Sequence, residues 1–226
     1  MGILMLTLIP ALVLSIYAQF KVRSAYSKYS QVASSSQMTG AQTARRILDQ
    51  HGLYHVRVEE VPGTLTDHYD PQAKVVRLST DNYYGTSLAA VAVAAHEVGH
   101  ALQDAEDYAF LRFRHALVPV ANFGSMAAFP LIMLGLFFSA FQSLLLLGII
   151  FFSAAVLFQI VTLPVEFNAS SRAMQQVVAS GIIRNEEERS TRKVLDAAAL
   201  TYVAAAVASV LELVRLLYYY FAAQNE

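Results

Sequence analysis

The sequence predicts an α-helical integral membrane protein with about four transmembrane helices and an α+β cytoplasmic domain. Of its 226 residues, 56% are hydrophobic and only 15% are charged, whereas an average globular chain is about 45–50% apolar and about 25% charged. The hydrophobic excess is concentrated in long uncharged runs, and the polar segments between them carry helix and strand patterns of their own. An ordinary soluble domain and a disordered chain are therefore both excluded.

Net charge and cysteine content exclude further classes. The formal net charge is −1, so the chain lacks the basic surface that nucleic-acid binding requires. The chain has no cysteine, which excludes disulfide frameworks, thiolate metal sites and cysteine nucleophiles. Any metal ion must be held by histidine, aspartate or glutamate side chains.

The longest uncharged run predicts a transmembrane hairpin. No charged residue occurs from 118 to 163, and that length is too great for one crossing, which takes about 20 residues. We expect two helices, roughly 116–140 and 143–163, with a turn near Phe141-Gln142-Ser143.

Two further runs predict the first and last spans. Residues 3–20 are uncharged, and we interpret them as a retained anchor because they lack the charged start and clear cleavage site of a signal peptide. The last span lies within 197–221 and contains Glu212 and Arg215. These two residues lie three apart on one helical face, where they can form an ion pair.

The distribution of basic residues predicts the membrane topology. Of the 16 Lys and Arg residues, ten lie between Lys21 and Arg114, five between Arg172 and Lys193, and one is Arg215. The positive-inside rule therefore places both polar segments in the cytoplasm and both termini outside. The predicted segments are transmembrane helix 1 (1–20), a cytoplasmic domain (21–115), the transmembrane hairpin (116–163), a cytoplasmic helical segment (164–193), and transmembrane helix 4 with the C-terminus (194–226).

The first polar segment begins with helix and strand signals. Thr39 and Gln42 form a capping box that opens a helix extending to Gln50. Alternation at 55–61 and the apolar run at 74–79 predict two strands. We expect the second of these to be an edge strand.

Three later signals place helices. Thr86 or Ser87 can cap a helix that extends to about Asp104. Pro164 is expected to kink or begin the helix of the second polar segment. A capping box at Asn185–Glu188 opens the helix that becomes the last span.

The residues His96-Glu97-Val98-Gly99-His100 form an HExxH motif. A helix places positions i and i+4 on one face, so His96 and His100 can direct ring nitrogens at one zinc ion. Glu97 lies beside them, where it can accept a proton from a zinc-bound water. The motif therefore predicts a hydrolytic zinc site with Glu97 as its general base.

A catalytic zinc site needs a third protein ligand. No third histidine follows at the spacing of the HExxHxxGxxH class. Glu166 is the best candidate, because it is an acid on a predicted helix directly after a span, between apolar Val165 and Phe167. The other candidates are His51, His55, His68, Asp104, Glu106 and His115.

Four stretches of the chain resemble the bacterial neutral zinc metallopeptidase family of small membrane proteins. They are Leu65–Pro71, Val76–Ser79, Ala94–Gln103 and Leu163–Ala173. The resemblance implies a zincin-like cytoplasmic domain, a gluzincin-type Zn²⁺ site with His96, His100 and Glu166 as ligands, and location in the bacterial inner (plasma) membrane.

The stretch Glu166–Ser170 also resembles the ExxAD signature of the heat-shock and prenyl-protein membrane proteases. Ser170 stands where those proteases carry an aspartate that orients a ligand histidine. Asn168 stands where an acid is expected in the neutral metallopeptidase motif. Both are therefore candidates for hydrogen bonds to the ligands.

Other side chains can donate a hydrogen bond to the oxyanion of a tetrahedral intermediate. These candidates are Arg172, His115, His68, Tyr69 and Tyr83. We interpret the stretch Asp67–Pro71 itself as a hydrogen-bonded turn.

The sequence thus predicts a membrane-anchored zinc endopeptidase that cleaves membrane or membrane-adjacent proteins, with the lipid bilayer as its other partner. A catalytically silent zinc-binding scaffold or regulatory subunit is the first alternative, although it would not need Glu97. An intramembrane protease of the site-2 type is the second. That class places HExxH within a span and uses an aspartate in a later span, and the predicted hairpin contains no aspartate. The substrate, the partner proteins and the oligomeric state are not predicted.

Overall fold

The computed structural model describes residues 2–138 and 142–224. Phe141, in the predicted hairpin turn, lies outside the described residues, as do Met1 and the final two residues. The elements are α1 (Gly2–Tyr29), α2 (Gly40–Gln50), β1 (Arg57–Val61), β2 (His68–Asp70), β3 (Val75–Ser79), α3 (Thr80–Tyr84), α4 (Leu88–Ala105), α5 (Ala109–Phe137), α6 (Gln142–Ala179) and α7 (Asn185–Ala223).

The chain divides into two compact units. The helical unit comprises the described parts of Met1–Ala18, Ala109–Pro164 and Thr201–Glu226. The sheet unit comprises Gln19–Tyr108 and Val165–Leu200. Helices α1, α6 and α7 each contribute residues to both units.

Four helices in the described part of the chain are long and apolar enough to cross a membrane, as the sequence predicts. These helices extend beyond the predicted spans. Helix α5 begins at Ala109 rather than near residue 116, and α6 continues to Ala179. Pro164 lies inside α6 and does not begin a helix. A proline in an established helix removes one intrahelical hydrogen bond, and helices of membrane proteins tolerate this loss.

Helices α5, α6 and α7 pack together within the helical unit. Their buried contact residues are Ala128, Ile132, Leu145, Ile149 and Leu216. A Cβ on Gly135 would lie 2.4 Å from the backbone nitrogen of Leu145, so α5 and α6 approach closely at a small residue, as membrane helices commonly do. The predicted ion pair between Glu212 and Arg215 is present.

The sheet unit contains a three-stranded sheet in the order β1-β3-β2. Strand β1 pairs with β3 in parallel, and β2 pairs with β3 antiparallel. The prediction that the strand near 74–79 is an edge strand is therefore wrong. Its residues Val75, Val76 and Leu78 are buried on both faces, a pattern typical of a central strand.

The edge strand β2 lies within residues 67–71, for which the sequence predicts a turn. Residues His68–Asp70 pair with β3 instead. The turn follows the strand and begins at its last residue, Asp70. The Asp70 carboxylate accepts hydrogen bonds from the backbone N–H groups of Gln72 and Ala73, both at 3.0 Å. An Asx-type turn thus ends a strand of three residues, which is too short to give a clear alternating pattern.

Helix α4 lies at the centre of the sheet unit, and most of its residues are buried. Its first half, residues 88–95, carries only apolar residues, as expected for a helix segment enclosed by other elements. The core around it includes Ile47 and Leu48 of α2, Val76 and Leu78 of β3, and Val177 of α6.

Two of the three predicted N-terminal capping signals are present. Thr39 and Gln42 form the capping box of α2, and Gly52 follows that helix in the left-handed region, with φ +71°. The Ser87 hydroxyl accepts from the backbone N–H of Ala90 at the start of α4. The predicted capping box at Asn185–Glu188 is wrong, because Asn185 is the first residue of α7 and the Glu187 carboxylate accepts from the backbone N–H of Arg184.

Candidate metal centre

Helix α4 places two histidines on one face. His96 and His100 lie one turn apart, with ring centroids separated by 4.8 Å and ring planes nearly perpendicular. Their side chains are 13% and 12% exposed, so each reaches the surface only at its edge. The spacing is the geometric consequence of four residues on a helix.

Helix α6 brings a carboxylate to the same point. Glu166 is buried, with 2% of its surface exposed. Its Oε2 lies 3.2 Å from Nε2 of His96 and 3.6 Å from Nε2 of His100. One donor atom from each of these three residues lies within 4.8 Å of the other two.

This donor set fits a zinc ion. Zinc binds imidazole nitrogen at about 2.0–2.1 Å and carboxylate oxygen at about 2.0–2.2 Å, so the ligand atoms of a tetrahedral site lie roughly 3.3–3.5 Å apart. The distances from Oε2 of Glu166 to the Nε2 atoms of His96 and His100, 3.2 and 3.6 Å, bracket that value. A buried carboxylate needs compensating partners, and here both partners are imidazoles that can share a metal ion with it.

Glu97 is positioned next to these residues but on a different side of α4. It is buried, with 9% exposure. Its carboxylate accepts a hydrogen bond from the backbone N–H of Tyr69, on strand β2. Burial raises the pKa of Glu97 to about 7, a change opposed by His96 and reinforced by Glu166. A carboxylate with a pKa near neutrality is suited to accept and release a proton.

This raised pKa predicts a pH-dependent stability of protein stripped of metal. Because the folded pKa of Glu97 exceeds the ordinary value of 4.5, its contribution to stability is full below about pH 4.5 and is lost as the pH rises through about 7. Replacement by glutamine should therefore stabilise the metal-stripped protein at pH 8 relative to pH 5, by on the order of 2–3 kcal/mol. Melting temperatures of wild type and Glu97→Gln at both pH values test this prediction, and an equal difference at both would contradict it.

Of the two α6 residues expected near the ligands, Ser170 contacts this cluster directly and Asn168 does not. The Ser170 hydroxyl lies 3.2 Å from Nδ1 of His96, the ring nitrogen that faces away from Glu166. Asn168 does not contact either histidine in the bonds described. Its Oδ1 accepts from Nε of Arg172 at 2.7 Å.

Sequence reasoning did not single out Gln103. Its side chain is completely buried, and its Oε1 lies 3.0 Å from Nδ1 of His100. Its Nε2 donates to the backbone carbonyl of Val165 at 2.8 Å and to Oδ1 of Asn168 at 2.9 Å. One sequence signal was available. Gln103 lies three residues after the candidate ligand His100, and positions i and i+3 are neighbours on a helix, so its amide could be expected to reach that histidine.

The remaining acids near the motif have other partners. Asp104 accepts hydrogen bonds from the hydroxyl of Tyr69 and from Nζ of Lys74, both at 2.6 Å. Glu106 pairs with Arg172 at 2.8 Å. Neither acid belongs to the group of three donors.

Two of the other predicted oxyanion donors, His68 and Tyr83, have contacts outside the group of three donors. His68 is exposed and contacts the carbonyl of Thr66 and the guanidinium of Arg77. Because strand residues alternate, it faces away from the side of β2 on which Tyr69 reaches Asp104. Tyr83 packs against the hydrophobic core.

The other candidate ligands do not join the group of three donors in the described part of the chain. His51 and His55 are exposed. His115 belongs to α5 of the helical unit.

Close contact between α4 and α6 depends on Gly99. A Cβ at this position would lie 2.6 Å from the carbonyl oxygen of Ala169 and 3.1 Å from its Cα. Backbone atoms cannot move aside as a flexible side chain can. The glycine between the two histidines therefore allows Glu166 to approach them.

We expect Gly99→Ala to force α4 and α6 apart and to cost about 1–3 kcal/mol through overpacking. The change should lower both the melting temperature and the amount of zinc retained after purification. Gly2→Ala is the matched control, because nothing lies within 4 Å of a Cβ at that position. Unchanged stability and zinc content in Gly99→Ala would show that the helices do not need this close approach.

Comparison with known proteins gives two matches. Residues 4–221 match the model of a family described as "Putative neutral zinc metallopeptidase". A protein of Bacillus subtilis (strain 168) named "Putative membrane protease YugP" is 59% identical over 218 residues, which cover 96% of each chain. No solved structure matches this chain.

Proposed function

The chain belongs to the neutral zinc metallopeptidase family, and from that membership we propose that it is a membrane-anchored, zinc-dependent endopeptidase. The observation that carries the proposal is the group of three donors from α4 and α6, with a buried carboxylate beside it. That combination serves both metal binding and proton transfer, as peptide-bond hydrolysis requires.

His96, His100 and Glu166 would hold the zinc ion. Two neutral imidazoles and one carboxylate leave a net positive charge on the site and a position for water or substrate. When bound, zinc supplies Lewis acidity, which polarises the scissile carbonyl and acidifies the attacking water.

Glu97 is the general base in this proposal. Its carboxylate takes a proton from the attacking water, and the resulting carboxylic acid then donates that proton to the leaving amine. The hydrogen bond from the backbone N–H of Tyr69 holds the Glu97 carboxylate at the edge of strand β2. Proton transfer can therefore occur where an extended substrate would lie.

We infer that the substrate binds as an extended strand along the outer edge of β2. This strand pairs with β3 on one side and ends the three-stranded sheet in the described residues. An open sheet edge offers main-chain hydrogen bonds to a peptide of any sequence. The four apolar helices in the same chain favour substrates that are membrane proteins or lie next to the membrane.

The proposed orientation places the sheet unit in the cytoplasm and both termini outside the bacterial plasma membrane. The support is the concentration of Lys and Arg between Lys21 and Arg114 and between Arg172 and Lys193. Substrates would therefore be cleaved at the cytoplasmic surface of the membrane.

Two alternatives are less well supported. A silent scaffold gains nothing from burying Glu97, because burial of a carboxylate costs free energy without a catalytic return. A site-2 type of intramembrane protease carries its metal motif within a span, whereas α4 is not among the four candidate spans of the described residues.

Metal removal tests the proposal. Detergent-purified protein should hold about one zinc ion per chain and cleave casein or a membrane-protein substrate. A strong chelator should abolish cleavage, and added Zn²⁺ should restore it, because no other group described in the site can polarise the carbonyl. Full activity after complete zinc removal would contradict the proposal, and bound zinc without cleavage of any substrate would favour the scaffold.

A further inference from the structure

Gln103 connects the two helices that carry the three donors. It lies on α4, three residues after His100. Both the oxygen and the nitrogen of its buried amide form hydrogen bonds. The oxygen faces His100, while the nitrogen reaches the carbonyl of Val165 and the side chain of Asn168 on α6. Val165 immediately precedes Glu166 in the chain.

The orientation of the Gln103 amide is fixed by its partners. A backbone carbonyl can only accept a hydrogen bond, so the atom 2.8 Å from the Val165 oxygen must be the amide nitrogen. Asn168 gives the same answer independently. Nε of Arg172 can only donate, so the Asn168 atom that it contacts must be the oxygen Oδ1. The Gln103 atom that contacts the same oxygen must therefore be the donor, Nε2.

The fixed amide determines the tautomer of His100. Oε1 of Gln103 can only accept, so Nδ1 of His100 must carry the proton in the 3.0 Å hydrogen bond. In a neutral imidazole this leaves the lone pair on Nε2. Nε2 is the nitrogen that lies 3.6 Å from Glu166.

His96 lacks an equivalent constraint. Its Nδ1 contacts the Ser170 hydroxyl at 3.2 Å, and a hydroxyl can either donate or accept. The tautomer of His96 is therefore not fixed by this contact. Gln103 gives His100 a defined tautomer that Ser170 cannot impose on His96.

We propose that Gln103 is a positioning residue of the metal centre: it holds His100 in the tautomer and ring orientation that present Nε2 to zinc, and it ties α4 to the segment of α6 that carries Glu166. The inference rests on the proposed function, because it concerns the same zinc site. Gln103 does not touch the ion or the substrate in this role. Its effect reaches the site through His100 and Val165.

The network continues beyond Gln103 and makes Asn168 part of the same arrangement. Asn168 accepts from both Gln103 and Arg172, and Arg172 pairs with Glu106 just after the end of α4. Because both partners donate to Asn168, any acceptor of the same size should serve. An aspartate at this position should therefore preserve the arrangement, whereas leucine should disrupt it.

The test compares zinc affinity in wild type, Gln103→Met, Asn168→Asp and Asn168→Leu. Methionine matches the length of glutamine but neither accepts from His100 nor donates to Val165. Gln50→Met is the control, since Gln50 is exposed and accepts from Ser180 away from the site. Competition with a chromogenic chelator measures Zn²⁺ affinity, and visible absorption of the Co²⁺-substituted protein reports the ligand geometry.

We expect Gln103→Met to weaken zinc binding by about 10–100-fold, as loss of a hydrogen-bonded partner of a ligand typically does, and to alter the Co²⁺ spectrum. Asn168→Leu should weaken binding in the same direction. Asn168→Asp should bind zinc more tightly than Asn168→Leu, and Gln50→Met should bind zinc as wild type does. Melting of metal-stripped protein identifies any variant that has lost its fold. If Gln103→Met does not fold, the comparison of Asn168→Asp with Asn168→Leu tests the inference in its place.

Wild-type zinc affinity and a wild-type Co²⁺ spectrum in folded Gln103→Met would overturn the inference. Equal affinities in Asn168→Asp and Asn168→Leu would also overturn it. Absence of zinc from wild type would be a failure of the proposed function itself, so the two failures are distinguishable.

Discussion

Replacing Glu97 with glutamine is expected to lower kcat/KM for peptide hydrolysis by about 10²–10⁴-fold, the usual contribution of a general base. Glutamine keeps the size of the side chain and can still accept from the Tyr69 N–H, but it cannot take a proton from water. Zinc content should remain unchanged, because Glu97 is not one of the three clustered donors. Cleavage of casein or of a membrane-protein substrate, with zinc measured on the same samples, tests this prediction.

Glu60→Gln is the matched control for this variant. Glu60 lies on β1 and accepts from Thr80 and Tyr84, outside the candidate site. Its replacement should leave kcat/KM within a few-fold of wild type. Equal activity in Glu97→Gln and Glu60→Gln would remove Glu97 from the mechanism.

Replacing Glu166 with glutamine is expected to have the second large effect, on metal binding rather than on proton transfer. The change removes the anionic ligand and leaves a neutral amide oxygen, a weaker donor for zinc. Zinc affinity should fall by more than about 100-fold, the upper end of the loss caused by changing residues that only support a ligand. Cleavage should fall in parallel when zinc is limiting.

Glu106→Gln separates the role of a ligand from that of a nearby acid. Glu106 was a sequence candidate for the third ligand, but it pairs with Arg172 instead. Its replacement should change zinc affinity far less than Glu166→Gln does. If Glu106→Gln lost zinc and Glu166→Gln retained it, the assignment of the third ligand would be wrong.

Features determined by neighbouring residues could be predicted from the sequence. The uncharged run from 118 to 163 indicated two helices, and the signals at Thr39 and at Thr86 or Ser87 located the starts of α2 and α4. Each of these depends on residues within a few positions of one another. The extent of the helices was less predictable, because α6 continues through Pro164 once the upstream apolar run has formed a helix.

Features determined by distant residues were harder to predict. The strand before α4 was expected at an edge, yet β3 is central because both β1 and β2 pair with it. The partners of Gln103 on α6 lie 62 and 65 residues away in the chain, so no local pattern links them. Glu166, 70 residues from His96, could be suggested earlier only because a zinc site needs a third donor and because the chain resembles a known family.

The most direct test of the central claim is zinc K-edge X-ray absorption on detergent-purified wild type and Glu166→Gln. We predict about one zinc ion per chain in wild type, with two imidazole nitrogens and a carboxylate oxygen at about 2.0–2.2 Å. The Glu166→Gln protein should lose most of its zinc. Absence of zinc from wild type, or a zinc shell without imidazole that is the same in both proteins, would contradict the site formed by His96, His100 and Glu166.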